Sequence, residues 1–478
     1  MFQIGGIMRA VLLALISGVI VSCGPSLPTP ENDAADDLSS KAPIAMTLTD
    51  GGKGDWSLKI EKKSGGEFYA FSRSENDYRS ESWQVVSGAD FSRKHGFDTL
   101  KLNANQAQLT FTPYVKSLPG TYTPFINFSD GGTAVFAGQF DLFALEDDAG
   151  LKALGGDVYN NEGELFAAPL TLKSARPILY GGQSYDGEVT LSLDGKSSYA
   201  YIGDTDITQG KDFSGVIDPG LPDWISQRFD EDLSLVFNAL AERWGFDLPQ
   251  KGTILLAFEG YEDEGVSLTG GALPGNMIVM QLSGERLREE NPRVTSYLKW
   301  FFIHEAVHLF QKKTDKSYAH NRYSWISEGG ANTMTSMIMA ENDLALEGYL
   351  LRIYGDSFEF CAQALEGKTL EAAIDAGPEG NYDCGDLIGR ITDAALPRHD
   401  YFEFWNSFLA GLDENFTDAD YFAAMRKLGA DEDIVSRLEA LTSDPVIDAE
   451  ATLKSLMNDV GIDATFADGA MRAIAFPN

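Results

Sequence analysis

The segment Trp300-Phe301-Phe302-Ile303-His304-Glu305-Ala306-Val307-His308-Leu309-Phe310 constrains this 478-residue chain more than any other, because it sets H-E-x-x-H inside an apolar run. In an α-helix, residues four apart stand one turn above each other on the same face. His304 and His308 can therefore offer imidazole nitrogens to a single ion, with the Glu305 carboxylate beside them. The helix is bounded by readable signals. Asn291 suits its cap, Pro292 its first position, and Lys312 and Lys313 its carbonyl end, while Val294, Leu298, Phe302, Leu309 and Phe310 supply apolar surface. The chain has only five histidines, so finding two of them four apart with a glutamate directly after the first has a chance of roughly a percent or less.

A catalytic zinc takes three protein ligands and keeps one position open, so two histidines call for a third group at modest distance. Glu328, in Tyr323-Ser324-Trp325-Ile326-Ser327-Glu328-Gly329-Gly330-Ala331-Asn332, is the candidate. H-E-x-x-H followed about twenty residues later by W-[LI]-x-E-G-x-A resembles the gluzincin metallopeptidases, thermolysin-like enzymes of the aminopeptidase N and glycyl aminopeptidase type. The resemblance implies that His304, His308 and Glu328 bind Zn2+, that Glu305 is the general base, and that the substrate is a peptide or protein. The spacer between His308 and Glu328 is one residue longer than in aminopeptidase N. Such enzymes also carry a Y-x-K-G segment that opens a helix, whose tyrosine hydroxyl steadies the oxyanion. By this resemblance the role falls to Tyr382 in Asn381-Tyr382-Asp383-Cys384-Gly385, where Cys384 replaces the lysine. Tyr354, Tyr323 and His399 are held in reserve for it. Two other functions use the same residues: a surface lipoprotein that keeps the metal shell to bind peptides and hydrolyses little, and a hydrolase of non-peptide amides or esters.

A net charge of −35 and a pI near 4.4 exclude nucleic acid as a partner and exclude electrostatic binding to an anionic membrane surface. Residues 1–22 read as an export signal, with Arg9 followed by the apolar run from Ala10 to Val21, too short to span a bilayer comfortably. Ile20-Val21-Ser22-Cys23 resembles the bacterial lipobox, which implies cleavage before Cys23 and a lipid anchor there. Gly24 is not the aspartate associated with inner-membrane retention, so the outer membrane is the expected site in a Gram-negative cell. Residues 23–43, with Pro25, Pro28 and Pro30, read as a disordered tether. Export to an oxidising space leaves Cys361 and Cys384 as an even pair. A disulfide between them would tie the Tyr382 segment to the preceding helix.

The expected fold class is multidomain α+β. Residues 44–217 break into short alternating runs and read as an all-β, sandwich-like domain. Gln108 to Thr112 alternates, and Val189 to Leu193 runs through Asp194-Gly195 into Ser198 to Ile202 as an expected hairpin. His95 belongs to a surface loop. The joint Asp218-Pro219-Gly220-Leu221-Pro222 opens residues 218–332, expected to be a thermolysin-like α/β catalytic subdomain. Its parts are a helix from Trp224 to Trp244 closed by Gly245, strands at Thr253 to Phe258 and Asn276 to Leu282, then the motif helix. In the resembling enzymes the second strand lies at the sheet edge above the zinc. They also grip the substrate's free amine with the glutamate of G-x-M-E-N. Gly270 to Asn276 has no carboxylate there, so endopeptidase and aminopeptidase action both stay open. Residues 333–478 read as almost wholly helical, with a capping box from Thr417 to Asp420 and a core cluster at Phe402, Phe404, Trp405, Phe408 and Leu409. The sequence does not fix the oligomeric state.

Overall fold

Alternation dictates the first sheet: Ile44, Met46 and Leu48 turn inward while Ala45 and Thr47 stay half-buried. The computed structural model describes residues 42–477, apart from 53, 75, 119–120, 156–164, 194, 196 and 315. The expected export signal, Cys23 and nearly all of the expected tether lie outside the described residues. The described residues divide into two compact units, one up to residue 230 together with 250–288, the other from 231 to 249 and from 289 onward. The architecture is α+β, with sandwich-like sheets at the N-terminal end and a helical C-terminal part.

In the first unit, Ile44–Thr49 lies between Trp56–Lys62, its antiparallel partner, and Ala168–Lys173, its parallel one, within a six-stranded sheet. A four-stranded sheet contains Phe68–Phe71 and Phe97–Leu102, and a five-stranded sheet has Tyr199–Ile202 at its centre. One core joins them: Met46, Leu58 and Leu109 from the first, Phe71 and Leu100 from the second, Val135 and Ile202 from the third. Two short helices, α1 (Tyr78–Ser82) and α2 (Asp148–Ala153), interrupt the strands.

The expected hairpin does not form. Glu188–Leu193 pairs with Ala168–Lys173 at the edge of the six-stranded sheet, whereas Tyr199–Ile202 pairs with Thr133–Phe136 and Ile178–Tyr180 in another. Burial explains the split. Val189, Leu191 and Leu193 alternate with less buried residues and need one covered face, but Tyr199, Ala200, Tyr201 and Ile202 are all buried. Ala200 and Ile202 enter the sandwich core, and Tyr199 and Tyr201 enter a second core with Val216, Leu255, Met277 and Val279.

That second core is completed by a five-stranded sheet in the order Ile207–Gln209, Phe213–Ile217, Gly252–Phe258, Met277–Ser283, Ser267–Leu273. Phe213–Ile217 runs parallel to Gly252–Phe258, so this sheet draws strands from both sides of the Asp218 joint. Met277–Ser283 is an interior strand, not the expected edge. The edge is Ser267–Leu273, which carries two adjacent glycines and few large apolar side chains and so lacks a strand signature. It turns back through Pro274-Gly275-Asn276, where Gly275 and Asn276 take φ of 77° and 54°, values that glycine and asparagine adopt at least cost.

In the second unit the helices are α3 (Asp223–Trp244, from residue 231), α4 (Pro292–Gln311), α5 (Ser324–Glu341), α6 (Tyr349–Leu365), α7 (Leu370–Ala376), α8 (Gly385–Ala395), α9 (Tyr401–Ala410), α10 (Asp418–Lys427), α11 (Glu432–Ser443) and α12 (Ala449–Asp459). Gly245, at φ 73°, ends α3. Phe237 meets Phe302, and Trp244 meets Phe310, Phe402 and Trp405, all at ring separations of 5.9–6.4 Å. The region after 333 is not helical to its end. Asp463–Ala467 and Ala470–Ala475 form a hairpin whose Phe466 rests on Phe358 of α6. Its side chains are only exposed or half-buried, so it carries little hydrophobic signal. Among the described residues no helix is long and apolar enough to cross a membrane.

Candidate metal centre

Asn291 starts α4, its Oδ1 accepting from Arg293 N at 2.9 Å and Val294 N at 3.5 Å, with Pro292 in the first turn. Four turns later His304 and His308 stand on one face with rings 4.7 Å apart and nearly perpendicular. Both are buried, at 5% and 6% exposure, as is Glu305 between them. Their Nε2 atoms lie 3.1 Å from each other.

The third group arrives from α5. A 3-10 turn, Asn321–Tyr323, precedes it, with His320 accepting from Arg322 N, and Ser324 Oγ donates to Asn321 O at 2.6 Å. Trp325 and Ile326 are buried, Trp325 against Tyr421, and pin the first turn of the helix. Two residues on, Glu328 Oε2 stands 3.4 Å from His304 Nε2 and 3.2 Å from His308 Nε2. Burial raises the Glu328 carboxyl, and where no cation is bound, protons on the His308 and His304 imidazoles would outweigh it and hold the group below the usual carboxylate range.

These distances fit a metal ion. Zinc binds imidazole nitrogen and carboxylate oxygen at about 2.0–2.1 Å, so tetrahedral ligand atoms lie about 3.3 Å from one another. The three atoms here are 3.1–3.4 Å apart. Lone pairs packed this closely repel unless a cation or a proton sits among them. Among the described residues this is the one such cluster of histidine, cysteine and acidic groups.

Gln311, one turn beyond His308, places Oε1 2.7 Å from His308 Nδ1 and donates from Nε2 to Ser327 O at 3.0 Å. The sequence reading passed over it, although its i+3 spacing from His308 was the available signal. His304 has no such partner. Its Nδ1 is buried without one among the described residues, and its ring lies against Trp300 at 5.5 Å.

Tyr382 comes from a π-helical turn, Gly380–Cys384, that leads into α8. Its ring is 6.0 Å from that of His304. Burial pushes its phenol well above the ordinary value, and the negative charges of Glu328 and Glu305 and a hydrogen bond to Glu328 act in the same direction. Several ties hold this turn. Ser324 Oγ bonds to Asn381 Oδ1 at 2.6 Å, and Asn332 Nδ2 donates to Tyr382 O at 3.2 Å. Cys384 is joined to Cys361 of α6 by a disulfide, with Cα atoms 4.6 Å apart. Gly329 of α5 lies directly against Gly385 of α8, where a side chain on either would collide with backbone.

The reserve residues lie elsewhere. Tyr354 sits under the Arg390 guanidinium, the Tyr323 hydroxyl accepts from Arg322, and His399 pairs with Glu403 at the surface. His95 is exposed, 3.3 Å from Asp148.

Neither a protein-family model nor a curated protein sequence matches the chain. Its fold is similar to that of an aminopeptidase N family protein from Idiomarina loihiensis, with a TM-score of 0.63 and 14% identity over 88% of this chain and 79% of that one. It is also similar to native yeast LTA4 hydrolase, with a TM-score of 0.50 and 12% identity over 85% of this chain and 68% of that one. At these identities the likeness is one of fold.

Proposed function

We propose that the chain is a zinc-dependent peptidase. The observation that carries this reading is the convergence of His304 Nε2, His308 Nε2 and Glu328 Oε2 within 3.1–3.4 Å of one another, with Glu305 on the same helix turn. The fold neighbours, an aminopeptidase N family protein and LTA4 hydrolase, support it. Zinc held by these three residues would supply Lewis acidity to a substrate carbonyl and to attacking water. Glu305 takes the proton of that water and passes it to the leaving amine as the C–N bond breaks. The Tyr382 hydroxyl, kept protonated by its burial, donates to the developing oxyanion. Whether the enzyme cuts inside a chain or from its amino end follows from how it holds the substrate's terminus. Export and a lipid anchor on Cys23 belong to the same proposal, and mass spectrometry of the mature N-terminus tests them.

The main test measures zinc per chain and turnover of a mixed peptide library by mass spectrometry, with and without chelator. We expect about one zinc and chelator-sensitive cleavage. Glu305→Gln should keep zinc and fold but lose hydrolysis, and full turnover by that variant refutes the role of Glu305. Stoichiometric zinc without turnover in the wild type would favour a peptide-binding lipoprotein.

A further inference from the structure

The Gln311 amide touches both helices that carry the candidate ligands. It is 6% exposed, so solvent competes little for either of its bonds. The donation from Nε2 to Ser327 O fixes which way the amide points: with its NH2 turned to a carbonyl, its oxygen faces the imidazole. That oxygen can only accept, and it stands 2.7 Å from His308 Nδ1, so Nδ1 carries a proton. The neutral ring then has its lone pair on Nε2, the nitrogen that faces His304 and Glu328.

We propose that Gln311 is a positioning residue for the metal: it locks His308 in the Nδ1–H form and fixes the ring plane, so the ligand atom is aimed before a cation arrives. The inference rests on the zinc reading above. Two features single out Gln311. His304 Nδ1 lacks a partner among the described residues and its ring is held by Trp300 packing, so prior orientation through a hydrogen bond falls on His308 alone. An amide also orients the ring without adding charge to a buried centre that already holds Glu305 and Glu328.

The test is zinc affinity of the full chain by competition with a chromophoric chelator, alongside thermal melting of the zinc-free protein. Gln311→Met fills the space but neither accepts nor donates, and we expect it to weaken zinc about 10–100-fold with little change in the zinc-free melt. Gln311→Glu keeps the acceptor, and as a protonated carboxyl can still donate to Ser327 O, so we expect it to stay within about threefold of wild type. Wild-type affinity in Gln311→Met overturns the inference and leaves the metal reading intact. Equal weakening in both variants also overturns it, because the loss would then trace to packing and not to the tautomer. A wild-type chain that takes up no zinc overturns the metal reading and this inference together. A long-range 1H–15N correlation of the zinc-free wild type at alkaline pH needs no variant: a proton on His308 Nδ1 supports the lock, and a proton on Nε2 instead refutes it.

Discussion

Replacing Gly329 with alanine tests whether the crossing of α5 and α8 sets the position of Tyr382. A Cβ at 329 would lie 2.0 Å from the Gly385 carbonyl carbon, 2.2 Å from its Cα and 2.5 Å from Asp386 N. Ordinary contact begins at 3.4 Å, so the two backbones must part by about 1.4 Å at this point. No flexible side chain can absorb the clash, since every atom met is main chain. Tyr382 precedes Gly385 by three residues on the turn that feeds α8, and it moves when the start of that helix moves. A misplacement of about 1 Å at a reacting centre costs on the order of 100-fold in rate, and overpacking a well-filled contact costs roughly 1–3 kcal/mol in stability. The assay is kcat and KM on a peptide taken from the library screen, with zinc content and a thermal melt of the same preparation. We expect kcat to fall about 100-fold, and zinc content separates the two causes: displacement of Tyr382 leaves it near one per chain, whereas displacement of the adjacent Glu328 lowers it. A folded Gly329→Ala protein with wild-type kcat would refute the reasoning. Gly385→Ala, whose Cβ would meet Trp325 O at 2.4 Å, should behave alike.

Tyr382→Phe removes one donor and should lower kcat about 100- to 1,000-fold with KM little changed, and unchanged kcat counts against the oxyanion role. Replacing Cys361 and Cys384 together by serine opens a link that spans 23 residues, which should cost about 3 kcal/mol in denaturant melts. An unchanged midpoint would show that packing alone holds the turn. Asp393 gives a pH test: burial pushes its carboxyl from 3.8 up to about 6, although it accepts from Tyr401 N. The folded chain keeps a proton that the unfolded chain releases in that window, so this group's contribution to stability falls as pH rises from 3.8 to about 6 and stays low above it. Asp393→Asn should therefore be the more stable protein at about pH 7, by about 3 kcal/mol, and lose that advantage near pH 3.5. Equal melts at neutral pH would argue otherwise.

What the sequence disclosed depended on whether one local element carried the signal. His304 and His308 share a helix turn, so their spacing alone states their geometry. Asn291, Pro292 and Gly245 mark helix ends through rules that need no neighbours. Partners set by other layers were hidden. Tyr199–Ile202 looked like one arm of a hairpin because turn chemistry preceded it, yet burial on both faces sent it to a different sheet. Ser267–Leu273 is a strand by virtue of its pairing with Met277–Ser283 and not by composition. The meeting of Gly329 with Gly385 could not be read at all, since glycines 56 positions apart announce no contact.

The order in which the chain visits its two units has a practical and an ancestral side. Residues 231–249 belong with the helical unit, but the next stretch, 250–288, returns to the sheets before α4 begins. A truncated gene starting at Glu289 would encode both histidines, Glu328 and Tyr382, yet omit Phe237 and Trp244, which line the inner side of Phe302 and Phe310. The helical unit is therefore not one contiguous stretch of the gene, and a recombination event that moved all of it would carry residues 250–288 of the sheets along.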